Sequence, residues 1–200
     1  MLDRKAYDKL VQWKYSLPGK ALLVDGPRQV GKTFLIEEFA QREFEDFIKV
    51  DFLRDGQASS IAQATDIKDL IDRLSLLHGR RVVSGETLLF FDEVQEAQNL
   101  VTLSKYIVED GRFRLAMSGS LLGVALNRVK SFPVGFLHTE TMFPLDFEEF
   151  ASALGSGNGK SRAVRYLGTY PKLIYRLVIE RAVRGERGGK IPVHITLVCF

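Results

Sequence analysis

The stretch Ala21-Leu22-Leu23-Val24-Asp25-Gly26-Pro27-Arg28-Gln29-Val30-Gly31-Lys32-Thr33 decides the fold. Its first four residues are apolar without a break, the pattern of a short strand buried on both faces. Its last eight match G-x-x-x-x-G-K-[ST] at every fixed position. Beyond them, Leu35, Ile36, Phe39 and Ala40 share one face of a helix. In this setting the glycines let the backbone curl so that successive N–H groups point inward, and the helix N-terminus adds positive potential at the same spot. Such a loop is built to hold phosphate. The four fixed positions co-occur by chance in about 1% of chains of this length. A glycine-rich turn without a ligand leaves the flanking strand and helix as coincidence.

The second half of such a site is Leu88-Leu89-Phe90-Phe91-Asp92-Glu93, four apolar residues followed by two acids. Carboxylates at the C-terminal end of a buried strand stand where open α/β sheets bind their ligands. If the loop holds a nucleoside triphosphate, Gly26, Pro27, Arg28, Gln29, Val30 and Gly31 wrap the phosphates and Lys32 reaches the β- and γ-phosphates. Thr33 and Asp92 then hold Mg²⁺. Glu93 is placed to polarise a water for in-line attack, the general-base role. Leu115-Ala116-Met117-Ser118-Gly119-Ser120 ends another apolar run with small hydroxyls. Ser118, with Ser120 as runner-up, is expected between the acids and the γ-phosphate; a plain Ser-Gly-Ser turn explains the pattern equally well. Arg28, Arg112, Arg114 and Arg128 are the arginines available to neutralise transition-state charge, although surface arginine is the simpler account of each.

Working outward, strands and helices alternate. Tyr7, Leu10 and Val11 give helical spacing up to Pro18-Gly19, and residues 47–52 read as a second strand. Ile67, Leu70, Ile71, Leu74 and Leu77 mark a helix over residues 65–79, and Leu100, Leu103 and Ile107 mark another closed by Asp110-Gly111. Residues 113–117 form a further strand. This order argues for a three-layer α/β fold around a central, mainly parallel sheet. Trp13 is expected in the packing of the first helix, and Phe132, Phe136, Phe143, Phe147 and Phe150 in a core closing over the sheet. Asp146 and Glu149 suit the N-cap and N3 positions of a short helix. His78, His138 and His194 lack metal-ligand spacing and read as structural or exposed.

Composition bounds the rest. At 200 residues, 46% apolar and 26% charged, the chain has the make-up of a globular domain. No apolar run approaches the roughly 20 residues of a spanning helix, no signal core follows the charged N-terminus, and Cys199 is alone. These features point to a soluble cytoplasmic protein. The net charge of +3 divides unevenly: residues 151–200 carry nine Lys and Arg against two acids, and residues 1–150 balance at −4. The expected organisation is a domain over residues 1–154 and an irregular Gly/Arg-rich basic tail over 155–200. Within the tail, Leu173, Ile174, Leu177 and Val178 suit an amphipathic helix, and residues 191–200 look strand-like.

Gly26-Pro27-Arg28-Gln29-Val30-Gly31-Lys32-Thr33, Phe91-Asp92-Glu93-Val94-Gln95, Ser118-Gly119-Ser120 and Phe143-Pro144-Leu145-Asp146-Phe147-Glu148-Glu149-Phe150 occur in one order. Together they resemble prokaryotic AAA-superfamily ATP-binding proteins that carry a C-terminal domain of unknown function. The resemblance covers about three-quarters of the chain. It implies ATP and Mg²⁺ as ligands, and a sheet in which the strand ending at Ser118 lies between the phosphate-loop strand and the Asp-Glu strand. It also implies Glu93 as the catalytic glutamate. The superfamily's habit of assembly raises a homo-oligomer or protein partner by analogy. Family members continue well past Phe150; the composition change here is explained by a truncated or frame-shifted gene, or by a genuine basic tail.

The expectation is therefore Mg-dependent ATP hydrolysis coupled to a conformational change. No Asn-Lys-x-Asp guanine-reading motif occurs, which disfavours a GTPase, and water suits the Asp-Glu strand end better than a kinase acceptor does. The competing expectation is a nucleotide-responsive nucleic-acid-binding or protein-interaction module with little turnover, its basic tail contacting phosphates.

Overall fold

The strand over Ala21–Asp25 (β1) forms because four consecutive apolar side chains can be buried only at the centre of a sheet covered on both faces. The computed structural model describes residues 4–120, 133, 135–146 and 149. By contacts the chain divides into Ala6–Met142 and a second unit made of Met1–Lys5 with Phe143–Phe200.

The larger unit runs α1 (Lys5–Ser16), β1, α2 (Lys32–Glu43), β2 (Asp46–Asp51), α3 (Ala58–Ala62), α4 (Ile67–His78), β3 (Thr87–Asp92), a 3₁₀ turn at Val94–Glu96, α5 (Gln98–Asp110), β4 (Arg114–Ser118) and β5 (Leu137–Thr141). The five strands form one sheet in the order β2-β3-β4-β1-β5, and every pairing is parallel. β4 thus lies between β1 and β3, as the family resemblance implies.

Alternation along the strands makes two cores. Leu22, Val24, Leu88, Phe90 and Ala116 pack with Leu10 and Trp13 of α1 and Leu35, Ile36 and Phe39 of α2. Their neighbours Leu23, Ile48, Val50, Leu89, Phe91, Leu115 and Met117 pack with α3, α4 and α5 through Ile61, Leu70, Leu74, Leu100 and Ile107. All six residues of β3 are buried, so its C-terminal acids emerge from the middle of the protein. The α4 helix starts where Asp66 accepts a hydrogen bond from the Asp69 amide at 2.9 Å, and ends at Gly79 with φ 62°.

Trp13 is fully buried and donates from Nε1 to the Lys20 carbonyl at 2.9 Å, the packing role expected of it. The aromatic expectation needs correcting at Phe143, which is 53% exposed. Met142, its neighbour, takes the buried place instead, at 2%. Phe136 is half-buried, while Phe132, Phe147 and Phe150 lie outside the described residues. Two elements have no counterpart in the sequence reading, the five-residue α3 and the edge strand β5.

In the smaller unit, the Asp146 and Glu149 side chains exchange hydrogen bonds with each other's amides at 2.9 and 3.0 Å. This is the reciprocal cap their spacing predicts. Arg128, His194, the expected helix near Leu173, the strand-like end and the boundary near residue 154 lie outside the described residues. Among the described residues no helix is long and apolar enough to cross a membrane.

Candidate nucleotide-binding site

The site gathers at the C-terminal ends of β1, β3 and β4, where the buried strands hand over to loops. Asp25, the last residue of β1, turns back so that its Oδ1 accepts the Gly26 amide at 2.7 Å. The loop that follows needs unusual backbone: φ is 149° at Gly26, 63° at Gln29 and 91° at Gly31. At Gly26 a side chain is also excluded by space, since a Cβ would lie 2.1 Å from the Met142 carbonyl oxygen. That carbonyl is fixed because β5 runs beside β1 and the Met142 amide donates to the Asp25 carbonyl at 2.7 Å.

The loop opens α2 with no side chain capping the helix and no acid in its first turn. The positive end of the helix dipole therefore faces the loop. Lys32, only 6% exposed, folds its Nζ back onto the carbonyls of Gly26 at 2.9 Å and Pro27 at 2.7 Å, with Ser120 Oγ at 3.2 Å. Burial lowers its pKa. The nearby charges of Glu93, Asp25 and Asp92 oppose that shift, and Arg28 adds to it. A buried ammonium held by neutral oxygens is a cation short of an anion.

Asp92 is the hub. Its Oδ2 accepts from Thr33 Oγ1 at 2.8 Å, and its Oδ1 accepts from the fully buried Ser118 hydroxyl. Two hard oxygen donors, one from the loop and one from the strand end, thus lie side by side. That donor chemistry fits Mg²⁺, which takes oxygen ligands and tolerates few protein groups. The third neighbour of Asp92 is Lys49, from β2, with Nζ 3.7 Å from Oδ2 and 2.7 Å from Glu37 Oε1. Burial pulls the Lys49 pKa down, but the Glu37 hydrogen bond and the acids around it outweigh burial, so the net shift is upward.

Glu93 leaves β3 in the left-handed region, φ 55° and ψ 46°. Its Oε2 accepts from Gln95 Nε2 at 2.6 Å. The structure therefore brings these residues to one end of the sheet in two hydrogen-bonded sets, Lys32 with Ser120 and the loop carbonyls, and Thr33 and Ser118 with Asp92, with Glu93 following Asp92 in the chain. Ser118 bonds to Asp92 alone of the two carboxylates, while Ser120 is the serine that meets Lys32. Arg112 and Arg114 are elsewhere, at the opposite end of the sheet. Arg112 pairs with Asp110 at 2.6 Å, and Arg114 bonds the carbonyls of Leu17 and Trp13 with its guanidinium 4.2 Å over the Trp13 ring. His138 pairs with Glu140 at 2.9 Å.

Three participants escaped the sequence reading. Lys49 left a signal, a charged residue between the apolar Ile48 and Val50 of β2. Gln95 lies within the quoted Phe91–Gln95 block, but no rule assigned it a partner. The Met142 carbonyl carries no side-chain signal at all.

A five-stranded parallel sheet whose phosphate loop follows an inner strand, with acids at the end of another, defines a P-loop α/β domain. The chain belongs to the AAA domain family, whose model matches residues 18–151. It is thus a nucleotide-binding domain of the ATPase class. No curated protein matches it in sequence. Among solved structures it is similar to the Aeropyrum pernix ORC1 protein in complex with DNA, at 18% identity and TM-score 0.49, over 77% of this chain and 48% of that one. It is also similar to C. elegans PCH-2, at 18% identity and TM-score 0.43, over 75% of this chain and 42% of that one. The chain therefore spans about half the length of the solved structures it matches or less.

Proposed function

We propose that this chain binds ATP with Mg²⁺ at residues 26–33 and hydrolyses it, with the nucleotide state biasing the loop and strand ends that hold it. The observation that carries this reading is the 2.8 Å bond between Thr33 and Asp92, which joins the phosphate loop to the acid-bearing strand. The loop amides and Lys32 bind the phosphates, and Lys32 exchanges its carbonyl partners for phosphate oxygens. Thr33 and Asp92 would hold Mg²⁺, which would supply positive charge against the phosphates. Glu93 orients a water and takes its proton as the water oxygen bonds to the γ-phosphorus. The bond from that phosphorus to the bridging oxygen breaks, its electrons leave with ADP, and inorganic phosphate is released. Ser118 holds the free face of Asp92, so its bond reports on whether Asp92 is engaged.

The test is the melting temperature with and without Mg·ATP, for the parent and Lys32→Ala. Binding to the folded state alone adds about 2.7 kcal/mol at a hundredfold excess over Kd. A shift present in the parent and lost in Lys32→Ala is expected, with phosphate release abolished in Glu93→Gln. A parent that melts identically with and without Mg·ATP overturns the proposal.

A further inference from the structure

Gln95 is held in place by a short rigid turn. Glu93 carries a left-handed backbone, Val94 is fully buried in the core, and the amides of Glu96 and Ala97 bond back to the carbonyls of Glu93 and Val94 at 3.1 and 3.0 Å. Left-handed backbone at a non-glycine residue is strained, and it persists only where the surroundings fix it. Its effect here is to let two side chains only two positions apart meet, at 2.6 Å.

The orientation of the Gln95 carboxamide follows from its partner. A carboxylate accepts only, so the group against Glu93 Oε2 is the NH₂ end, and the carbonyl end points away from that bond. That oxygen, Gln95 Oε1, is buried with no hydrogen-bond partner among the described residues. A buried acceptor left unpaired loses its bonds to water and gains none in exchange. Among the described residues two other buried side-chain atoms share this status, His78 Nε2 and Arg114 Nε, and neither belongs to the group of residues around Asp92. Next to the acid proposed as general base, the chain thus keeps a fixed acceptor in want of a donor.

We infer that Gln95 is a second water-holding residue of the hydrolytic site, its Nε2 clamping Glu93 and its Oε1 accepting a proton of the attacking water. This rests on the reading of Glu93 as the base. Oε1 is sealed from solvent here, so the water enters beside it when nucleotide binds; the two ends of the carboxamide share one carbon, and a water on Oε1 is then within reach of the carboxylate that Nε2 holds. A water whose two protons point at two acceptors presents its lone pair elsewhere, which is the orientation attack requires. Its one transferred proton goes to Glu93, and Gln95 neither gains nor loses one.

The experiment measures kcat, KM for ATP and the Mg·ATP melting shift in the parent, Glu93→Gln, Gln95→Met and Gln95→Glu. Gln95→Met keeps the length of the side chain and removes both polar ends. Gln95→Glu keeps an acceptor and loses the donor that clamps Glu93. Both Gln95 variants should lose about 10–100-fold in kcat with KM and the melting shift within twofold of the parent. A role confined to packing would lower the melting temperature and leave kcat alone. If Gln95→Met does not fold, Gln95→Glu carries the comparison. A parent without turnover overturns the hydrolytic reading and this inference together. Glu93→Gln inactive while both Gln95 variants turn over at or above the parent rate overturns this inference alone. A raised KM with unchanged kcat also overturns it, because that places Gln95 in nucleotide binding.

Discussion

Replacing Gly26 with alanine separates two ways in which a loop can depend on glycine. The built Cβ lies 2.1 Å from the Met142 carbonyl oxygen, about 0.9 Å inside the 3.0 Å limit that real Cβ atoms respect. Relief cannot come from a side-chain rotation, because the obstacle is backbone. That backbone is tied to β1 by the Met142 amide, which donates to the Asp25 carbonyl at 2.7 Å, and by the β1–β5 ladder just before it. Overpacking of this kind costs about 1–3 kcal/mol. The φ of 149° at Gly26 adds strain of about 1–2 kcal/mol for an L-residue. The sum is about 2–5 kcal/mol, or roughly 5–20 °C in Tm for a chain of this size.

Two other glycines calibrate the result. At Gly31, φ is 91° but the nearest atom to a Cβ is Met142 Cε at 3.8 Å, so Gly31→Ala carries the conformational cost alone, about 1–2 kcal/mol. At Gly19 a Cβ meets nothing within 4 Å, and Gly19→Ala should be neutral or stabilising by about 0.4–1 kcal/mol. Thermal melts followed by circular dichroism, without nucleotide, give all three. The expected order of loss is Gly26→Ala, then Gly31→Ala, then Gly19→Ala. A Gly26→Ala protein that melts with or above Gly31→Ala would show that β5 yields to the loop, and the account of Gly26 as a contact position would fail.

Three further outcomes follow from particular contacts. Lys49→Met leaves the buried Asp92 without its nearest cation, so the nucleotide-free protein should lose about 1–3 kcal/mol, and the melting gain from Mg·ATP should exceed the parent's; an equal gain refutes the link between Lys49 and the metal-binding acid. The outer edge of β2 is blocked where Asp55 Oδ2 takes the Asp51 amide at 2.7 Å and Arg80 Nη2 takes the Phe47 carbonyl at 3.1 Å. Removing both plugs in Asp55→Ala/Arg80→Ala should raise concentration-dependent association in sedimentation velocity, and a species distribution identical to the parent's refutes it. Arg80, through its side-chain hydrogen bond, also holds the Asp46 carboxyl below the usual carboxylate range. Stability from that pair is therefore present above the ordinary carboxylate range and lost as pH falls through the depressed pKa. Being half-exposed it is worth about 0.2–1 kcal/mol, so Asp46→Asn should melt below the parent at pH 7 and approach it near pH 2.

The sheet is legible in the sequence wherever burial leaves an unbroken apolar run, as in Leu22–Val24 or Leu88–Phe91. It is illegible at β5, Leu-His-Thr-Glu-Thr, an edge strand paired on one side only and half-buried at best. Such a strand is held by its ladder with β1, and a ladder of backbone bonds leaves no trace in side-chain pattern. Lys32, Thr33, Asp92 and Ser118 were readable because fixed spacing and strand ends locate them. Lys49 and Gln95 were not, since their roles depend on which strand lies beside which and on a left-handed turn at Glu93. Phe143 misled because aromatic character measures what a residue prefers, while the chain had already placed Met142 in the buried position beside the loop.

Around Lys32 and Asp92 the polar side chains are satisfied by one another and by the loop carbonyls. Lys32 uses the Gly26 and Pro27 carbonyls, and Thr33 and Ser118 both use Asp92. Binding is then an exchange of partners, and each exchanged hydrogen bond contributes only about 0.5–1.5 kcal/mol net. A phosphate alone can draw Lys32 off the carbonyls but offers Asp92 nothing, since like charges repel. A divalent cation alone can compete for Asp92 but leaves Lys32 where it is. Only a ligand that brings anionic oxygens and a bound cation together exchanges both sets at once. The 2.8 Å bond between Thr33 and Asp92 is where the proposed metal–phosphate ligand would meet both sets, because Thr33 follows Lys32 directly in the loop and its hydroxyl is already against the acid-bearing strand.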